Sequence, residues 1–428
     1  MPLYARLSFI PRPASGPMTR SIPHPVQAKA GTQGGIVEVL VTTTLIQIIA
    51  TATMLGLTPI APHAGQSFGI SPHMIGYQIS LIYVFGALGS AFTGSLVARA
   101  GPVRVEQLAL LLFAAGLLGL ATSNLWLAAL ASALIGIGYG VQNPASSQIL
   151  SRIAPAHQRN MIFSIKQAGV PVGGVIASLG FPLLDRAIGW QAGFAIITLI
   201  PIGLCLYLNR HVAGDERPPA NSSKNWLAAL LADQKLIWRG PFRALSLLSL
   251  LYSSVQMSLS TFIVLMLVEE RGWGLIAAAG VAGLVQLSGA FGRVFWGVAS
   301  DRAGHGMAIL ALIGLICTLG LIALWNLATL PELVLIPILC LLGATASGWN
   351  GVAMAEMARL CDPGEASRVI GAVLVYTFIG VVIGPSSMAA LYGEIGSYGH
   401  GLALFAVASG IGTVIAAISA ARQPRHRL

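Results

Sequence analysis

Charge is what this sequence has least of. Asp, Glu, Lys and Arg make up 9% of 428 residues, against about a quarter in a water-soluble domain, so a core wrapped in a hydrated surface is excluded. Negative charge is the scarcer sign, with 14 acidic residues against 24 Lys and Arg. Cysteine is sparse as well. Cys205, Cys317, Cys340 and Cys361 are scattered without CxxC spacing, so they read as small apolar fillers rather than a disulfide framework or a metal site. The phosphate-cradling pattern G-x-x-x-x-G-K-[ST] is missing, which argues against work driven by ATP. No cofactor, no metal and no enzymatic chemistry is expected.

Apolar length is what the chain has instead. Hydrophobic residues make up 55% of it, with a mean hydropathy of +0.79. Runs of roughly 20 apolar residues, enough to cross about 30 Å of hydrocarbon, fall at 36–60, 74–98, 107–122, 126–149, 161–184, 190–209, 244–267, 275–299, 306–326, 333–354, 369–391 and 399–420. They are numbered spans 1 to 12. All Lys and Arg except Arg186, Arg271 and the intramembrane Arg293 fall at or near one set of loops and the two tails. By the positive-inside rule that side and both termini are cytoplasmic. The net charge of +10 then reflects anchoring to anionic lipid, not nucleic-acid binding.

The chain is also duplicated. Gly289 to Gly304 reads GAFGRVFWGVASDRAG, and Gly86 to Gly101 reads GALGSAFTGSLVARAG. At one constant offset Gly86/Gly289, Ala87/Ala290, Gly89/Gly292, Phe92/Phe295, Gly94/Gly297, Arg99/Arg302, Ala100/Ala303 and Gly101/Gly304 are identical. Each copy is an apolar run with small residues for close helix packing, ending in a basic turn. Gly297, Ser300, Asp301, Arg302 and Gly304 form a G-x-x-S-D-R-x-G pattern. It resembles the signature between helices 2 and 3, and between helices 8 and 9, of major facilitator superfamily (MFS) transporters, and the resemblance extends over almost the whole chain.

That resemblance implies an all-α membrane fold of twelve transmembrane helices arranged as two pseudo-symmetric six-helix bundles. The first is expected over 36–209 and the second over 244–421, joined by a polar cytoplasmic linker at 210–243 that could carry a surface helix around Trp226 to Trp238. The proline-rich, basic stretch 1–35 is expected to be a disordered cytoplasmic tail, and 422–428 a second tail. Met18 precedes a more compact basic leader, making it a candidate for the true start, which an intact mass would test. The resemblance also implies that Asp301 latches the cytoplasmic gate against the opposite half, with Arg302, Gly304, Arg99 and Gly101 shaping the two turns. Ala98 stands where the first copy of the family pattern has its aspartate, so only one latch is expected. Ser132 stands where the family often has an arginine early in helix 4, which removes that part of the usual proton-coupling apparatus.

In the resembled family helices 1, 4, 7 and 10 line a central cavity. Here their polar residues include Gln47, Tyr139, Gln142, Asn143, Gln256, Trp349 and Asn350. Asn143 and Asn350 each lie nine residues before an arginine at a span end, Arg152 and Arg359, which puts both asparagines near the midplane. An amide facing lipid would be left unpaired, so these groups either line a substrate site or hydrogen-bond between helices. No acidic residue is read deep inside a span, whereas Lys166 and Arg293 lie within spans 5 and 8. Such cations either snorkel or contact carbonyls, or they face a wet cavity. In the second case they favour an anion.

The function expected from these readings is secondary active transport of a small solute by alternating access, best matched to an organic anion such as a carboxylate. A symporter of the bacterial inner membrane, monomeric and surrounded by lipid, with protons as candidate coupling ions, fits the pattern. An exporter of neutral amphiphilic metabolites or drugs is the first rival, and a non-transporting membrane sensor the second.

Overall fold

The computed structural model describes residues 35–154, 159–212, 237–238, 242–360 and 366–422. Nearly all of them are helical, and twelve helical stretches are long and apolar enough to cross a membrane. They are α1 (Ile36–Phe68), α2 (Pro72–Ala100), α3 (Pro102–Ala121), α4 (Leu125–Ile153), α5 (Ile165–Ile188), α6 (Trp190–Val212), α7 (Phe242–Glu270), α8 (Leu275–Ala303), α9 (Gly306–Thr329), α10 (Glu332–Met357), α11 (Ala372–Ile395) and α12 (Tyr398–Arg422). The expected tail before Gly35, the body of the linker, Cys361 and the end of the chain lie outside the described residues. Ile237 and Trp238 are described; Trp238 donates its indole N–H to the Tyr376 hydroxyl.

Two starts and stops differ from the sequence reading for local reasons. α1 runs on to Phe68 because a one-turn break at Thr58–Ile60, set by Pro59, is followed by a second helix Ala61–Phe68 that ends on Gly69. α3 begins at Pro102, directly after Gly101, whose φ of 88° no L side chain adopts easily. That earlier start carries Glu106 inside the helix. The expectation that no acidic residue lies deep inside a span overlooked Glu106, about one turn into α3 and 0% exposed; Glu356, expected at a span end, lies next to the end of α10 and is also buried, 3% exposed.

α1–α6 are termed the first half and α7–α12 the second, and small residues pack the helices within each. A methyl group placed on Gly140 of α4 would lie 2.0 Å from the Gly86 carbonyl of α2. One on Gly292 of α8 would lie 2.2 Å from the Ala344 carbonyl of α10. The duplicated glycine run is thus a pair of contact stripes, α2 on α4 and α8 on α10.

The halves meet through α5 against α8 and α2 against α11. Arg99, Arg152, Arg302 and Arg359 end their spans on one face of the bundle, here termed the arginine-rich face. Contacts across the halves run from mid-span to the opposite, far face. There Ser80 of α2 donates to the Val382 carbonyl at 2.6 Å and Ser386 donates to Ser80 at 2.7 Å. Gly76 packs on the Pro385 carbonyl, and His73 lies against Tyr392 with ring centroids 5.0 Å apart. The apolar core follows the same division. One large cluster draws on both halves, while toward the arginine-rich face each half has a cluster of its own: Val39, Leu150, Ala154 and Ile162 in the first, and residues including Trp296, Val352 and Met357 in the second. Methyl groups placed on Gly94 and Gly297, near that face, would meet nothing within 4 Å.

Candidate functional site

A cavity of about 50 Å³ lies between the halves, room for a few waters. The first half contributes Thr51, Tyr83, Tyr139 and Pro171; the second contributes Gln256, Ser260, Gln286, Arg293 and Ser347, with apolar residues between. Arg293 is the one charged residue in this lining.

The sequence of α10 explains how Arg293 is held. The helix Glu332–Ala346 stops at Ser347, and a new one starts at Trp349. Small residues at Ser347 and Gly348 allow the break, and it leaves the Ser347 carbonyl free to accept from Arg293 Nε at 3.2 Å. Gly289 and Gly292 let α8 come close enough for that bond. Arg293 therefore satisfies both sequence readings at once, contacting a backbone carbonyl while facing the cavity. Tyr83 and Tyr139 pack edge to face, centroids 5.9 Å apart, and line the same cavity as the guanidinium. Gln256 is fixed from behind: its Oε1 accepts from Trp349 Nε1 at 3.1 Å, which turns its amide N–H₂ away from the indole. Trp349 is buried against Tyr252, ring centroids 6.1 Å apart.

Of the substrate-site residues expected from sequence, Tyr139, Gln256 and Arg293 come together here. The others do not. Trp349 acts through Gln256 and is absent from the lining. Gln47 is buried inside the first half, against Gly169 of α5; its neighbour one turn on, Thr51, reaches the cavity instead. Gln142 is fully buried, donating to Ser146 at 3.1 Å. Asn350 is half-buried and makes no side-chain hydrogen bond among the described residues. Asn143 and Lys166 are joined to each other, away from the cavity. Lys166 Nζ donates to Asn143 Oδ1 at 2.5 Å, to the Asn143 carbonyl at 3.2 Å and to Ser147 at 3.2 Å.

Lys166 also has the acidic neighbour that sequence reading did not find. The charge acting on it is that of the buried Glu106. Glu106 lay one residue before the predicted start of span 3, although Gly101-Pro102 carries a recognisable stop-and-start signal. Tyr83 and Gln286 were missed too, yet they are the same position of the duplicated unit, three residues before Gly86 and Gly289. The repeat was the signal that could have found them.

At the arginine-rich face the turn after α8 ends on Gly304 with φ 65°, and Gly101 ends α2. Arg359 of α10 reaches the Gly304 carbonyl at 3.4 Å and pairs with Glu356 at 2.7 Å. This turn is thus braced from its own half. Asp301 is exposed and, among the described residues, makes no ion pair, so the expected latch to the opposite half is not engaged in this conformation. Arg302 and Arg99 are likewise exposed.

Comparison with known proteins agrees with this architecture. The family model of the Major Facilitator Superfamily matches residues 43–385. An uncharacterized MFS-type transporter of Mycobacterium tuberculosis is 30% identical over 183 residues, 42% of this chain and 39% of that protein. The niacin transporter NiaP of Acinetobacter baylyi is 27% identical over 133 residues, 31% of this chain and 30% of that one. The matches thus cover less than half the length of these curated relatives. Among solved structures, a bacterial homolog of the human lysosomal transporter Spinster, inward-facing and unoccupied, superposes with a TM-score of 0.69 at 18% identity, covering 90% of this chain and 95% of that one.

Proposed function

Since the chain belongs to the Major Facilitator Superfamily, we propose that it is a secondary transporter working by alternating access, and that its solute is an organic anion bearing a carboxylate. The observation that carries the substrate class is Arg293, the single charge in a cavity lining that contains no carboxylate. Hydroxyls of Tyr83 and Tyr139 and amides of Gln256 and Gln286 stand around it. They suit a carboxylate head held by charge-assisted hydrogen bonds. The two-cation site expected from sequence reduces to one, because Lys166 is absent from the cavity lining and its ammonium is bonded to Asn143 and Ser147. Under the positive-inside rule the arginine-rich face is cytoplasmic in a bacterial inner membrane, so the described conformation is sealed toward the outside. Asp301 serves as a latch only when the cytoplasmic side closes.

The test is uptake into proteoliposomes of a carboxylate and its neutral amide, nicotinate against nicotinamide first and then a wider carboxylate panel. Arg293→Gln removes a charged hydrogen bond, about 1.5–3 kcal/mol, and so weakens carboxylate affinity by roughly tenfold to a hundredfold. Arg293→Lys keeps part of it, lacking the planar fork. Uptake of neutral solutes that survives Arg293→Gln would refute the anion assignment and favour the neutral-amphiphile reading.

A further inference from the structure

The group in this molecule that neither the fold nor the cavity explains is Glu106. Its side chain is 0% exposed, and among the described residues neither carboxylate oxygen has a hydrogen-bond partner within 3.5 Å; Ser146 of α4 is the nearby polar group, but its hydroxyl is directed to the Gln142 and Asn143 carbonyls at 3.0 and 3.3 Å. An ionised carboxylate without donors in such a place costs several kcal/mol, which a structural salt bridge would offset by direct contact. Lys166 does not supply that contact. It acts on Glu106 through space, but no Lys166–Glu106 pair is found within 4.0 Å, and its donors go to Asn143 and Ser147. Gln142 Oε1, on the same stretch of α4, is a further buried acceptor without a donor. A single proton on Glu106 would remove the uncompensated charge and create a donor among acceptors.

We propose that Glu106 is a proton-binding site, with Lys166 as its counter-charge, through which solute movement is coupled to a proton gradient. The coupling part of this inference rests on the transport reading above; the proton site does not. The proton comes from water on the side that Asn143 faces, since Asn143 is exposed beside a buried ammonium and belongs on a wet cleft rather than on lipid. It adds to one carboxylate oxygen, giving the neutral acid, while Lys166 stays on Asn143 and Ser147. The site then gains one positive charge. A metal cation is disfavoured there by the adjacent ammonium.

Other ionisable groups on the helices around α3 are accounted for elsewhere. Glu38 of α1 accepts from Tyr207 at 2.7 Å and from Arg210 at 2.6 Å, with His211 at 3.5 Å. Cys205 of α6 faces the Gln107 carbonyl at 3.8 Å. Arg99, Arg104 and Arg152 are exposed. Lys166 alone is left to report on Glu106, and it sits one turn before Val170 and Pro171, which line the cavity. Pro171 has no N–H, so the helix is free to bend between the two sites. Beyond it Gly174 packs on Gln286 of α8, another lining residue. A solute that shifts α5 against α8 therefore moves Lys166 relative to Glu106, and the linkage is reciprocal.

The experiment is infrared difference spectroscopy of the full chain in lipid, stepped from alkaline to acid. It needs no identified solute, so it can succeed or fail independently of the anion assignment. A carboxylic-acid carbonyl band should grow in and be lost in Glu106→Gln. Lys166→Gln leaves the carboxyl in place and should move the band to more alkaline conditions; it keeps the test decisive if Glu106→Gln does not fold. No band assignable to Glu106 at any step would overturn the proposal. So would a conformational response to sodium, added in place of choline at fixed pH, that disappears in Glu106→Gln, since that would make the site a metal-cation site.

Discussion

The seal at the far face should yield to one methyl group. Gly76 of α2 sits so close to α7 and α11 that a Cβ there would lie 2.4 Å from the Pro385 carbonyl oxygen, 2.6 Å from Phe262 Cζ and 3.1 Å from Ala389 Cβ. Restoring ordinary contact with a backbone atom requires α2 and α11 to separate by about 1 Å. Ser80, one turn along, makes the 2.6 Å and 2.7 Å bonds to Val382 and Ser386, and such a separation strains both. Two bonds at roughly 0.5–1.5 kcal/mol each come to about 1–3 kcal/mol, a shift of roughly five- to 150-fold in the balance between sealed and open far faces. Helix propensity works the other way, because Ala favours a helix over Gly by about 1 kcal/mol; a loss of fold is not the expected outcome. Spin labels at Ser71→Cys and Glu394→Cys report on the far face, and labels at Arg99→Cys and Arg302→Cys on the arginine-rich face, in a background without native cysteines. Gly76→Ala should lengthen the first distance and shorten the second. Gly94→Ala and Gly297→Ala, whose methyls meet nothing within 4 Å, should change neither. Unaltered distances in Gly76→Ala would refute the assignment of this contact as the seal.

Two further predictions separate residues that look equivalent in sequence. Asn143→Leu removes the side-chain acceptor of a buried ammonium, leaving it the backbone carbonyl of residue 143 and Ser147, and should lower the unfolding free energy in detergent by about 1.5–3 kcal/mol, whereas Asn350→Leu should stay within about 0.5 kcal/mol; equal thermal shifts would refute the distinction. Asp301→Asn should leave thermal stability in the described conformation unchanged, because the side chain is exposed and makes no ion pair among the described residues, yet reduce the fraction of molecules with a short Arg99–Arg302 label distance; an unchanged fraction would make the turn only a turn.

The fold was legible because the membrane leaves few options. Long apolar runs fixed the twelve spans, and the glycine register of the duplicated segment matched the α2–α4 and α8–α10 contacts. The site was less legible, since polar residues placed near the midplane by counting can point in any direction around a helix. Gln47 and Thr51 share a face to within one turn, yet Gly169 opens a place for Gln47 inside the half and leaves only Thr51 on the cavity. Trp349 reads as a lining aromatic, but the break at Ser347 and Gly348 turns it into the core of its own half. Such outcomes depend on which neighbour is small, and the sequence of one helix does not carry that.

The duplication sharpens this into a physical argument about where chemistry resides. Gly89 and Gly292 kept their identity where the approach of a neighbouring backbone leaves no room for a side chain, and Gly101 and Gly304 where φ is positive, whereas the equally retained Gly94 and Gly297 lie in open space. Positions that diverged are where the halves differ in charge. Counting along the same offset, Arg293 answers to Ser90, Glu106 to Ile309 and Asp301 to Ala98. The cavity cation, the unpaired buried carboxylate and the aspartate of the turn each have an uncharged counterpart at that offset, and Glu356, the buried carboxylate of the second half, is paired with Arg359. A symmetric frame can rock between two openings with its ends nearly balanced; single charges placed on one side of it let a solute or a proton bias that balance, because each acts on one half and has no mirror partner to cancel it.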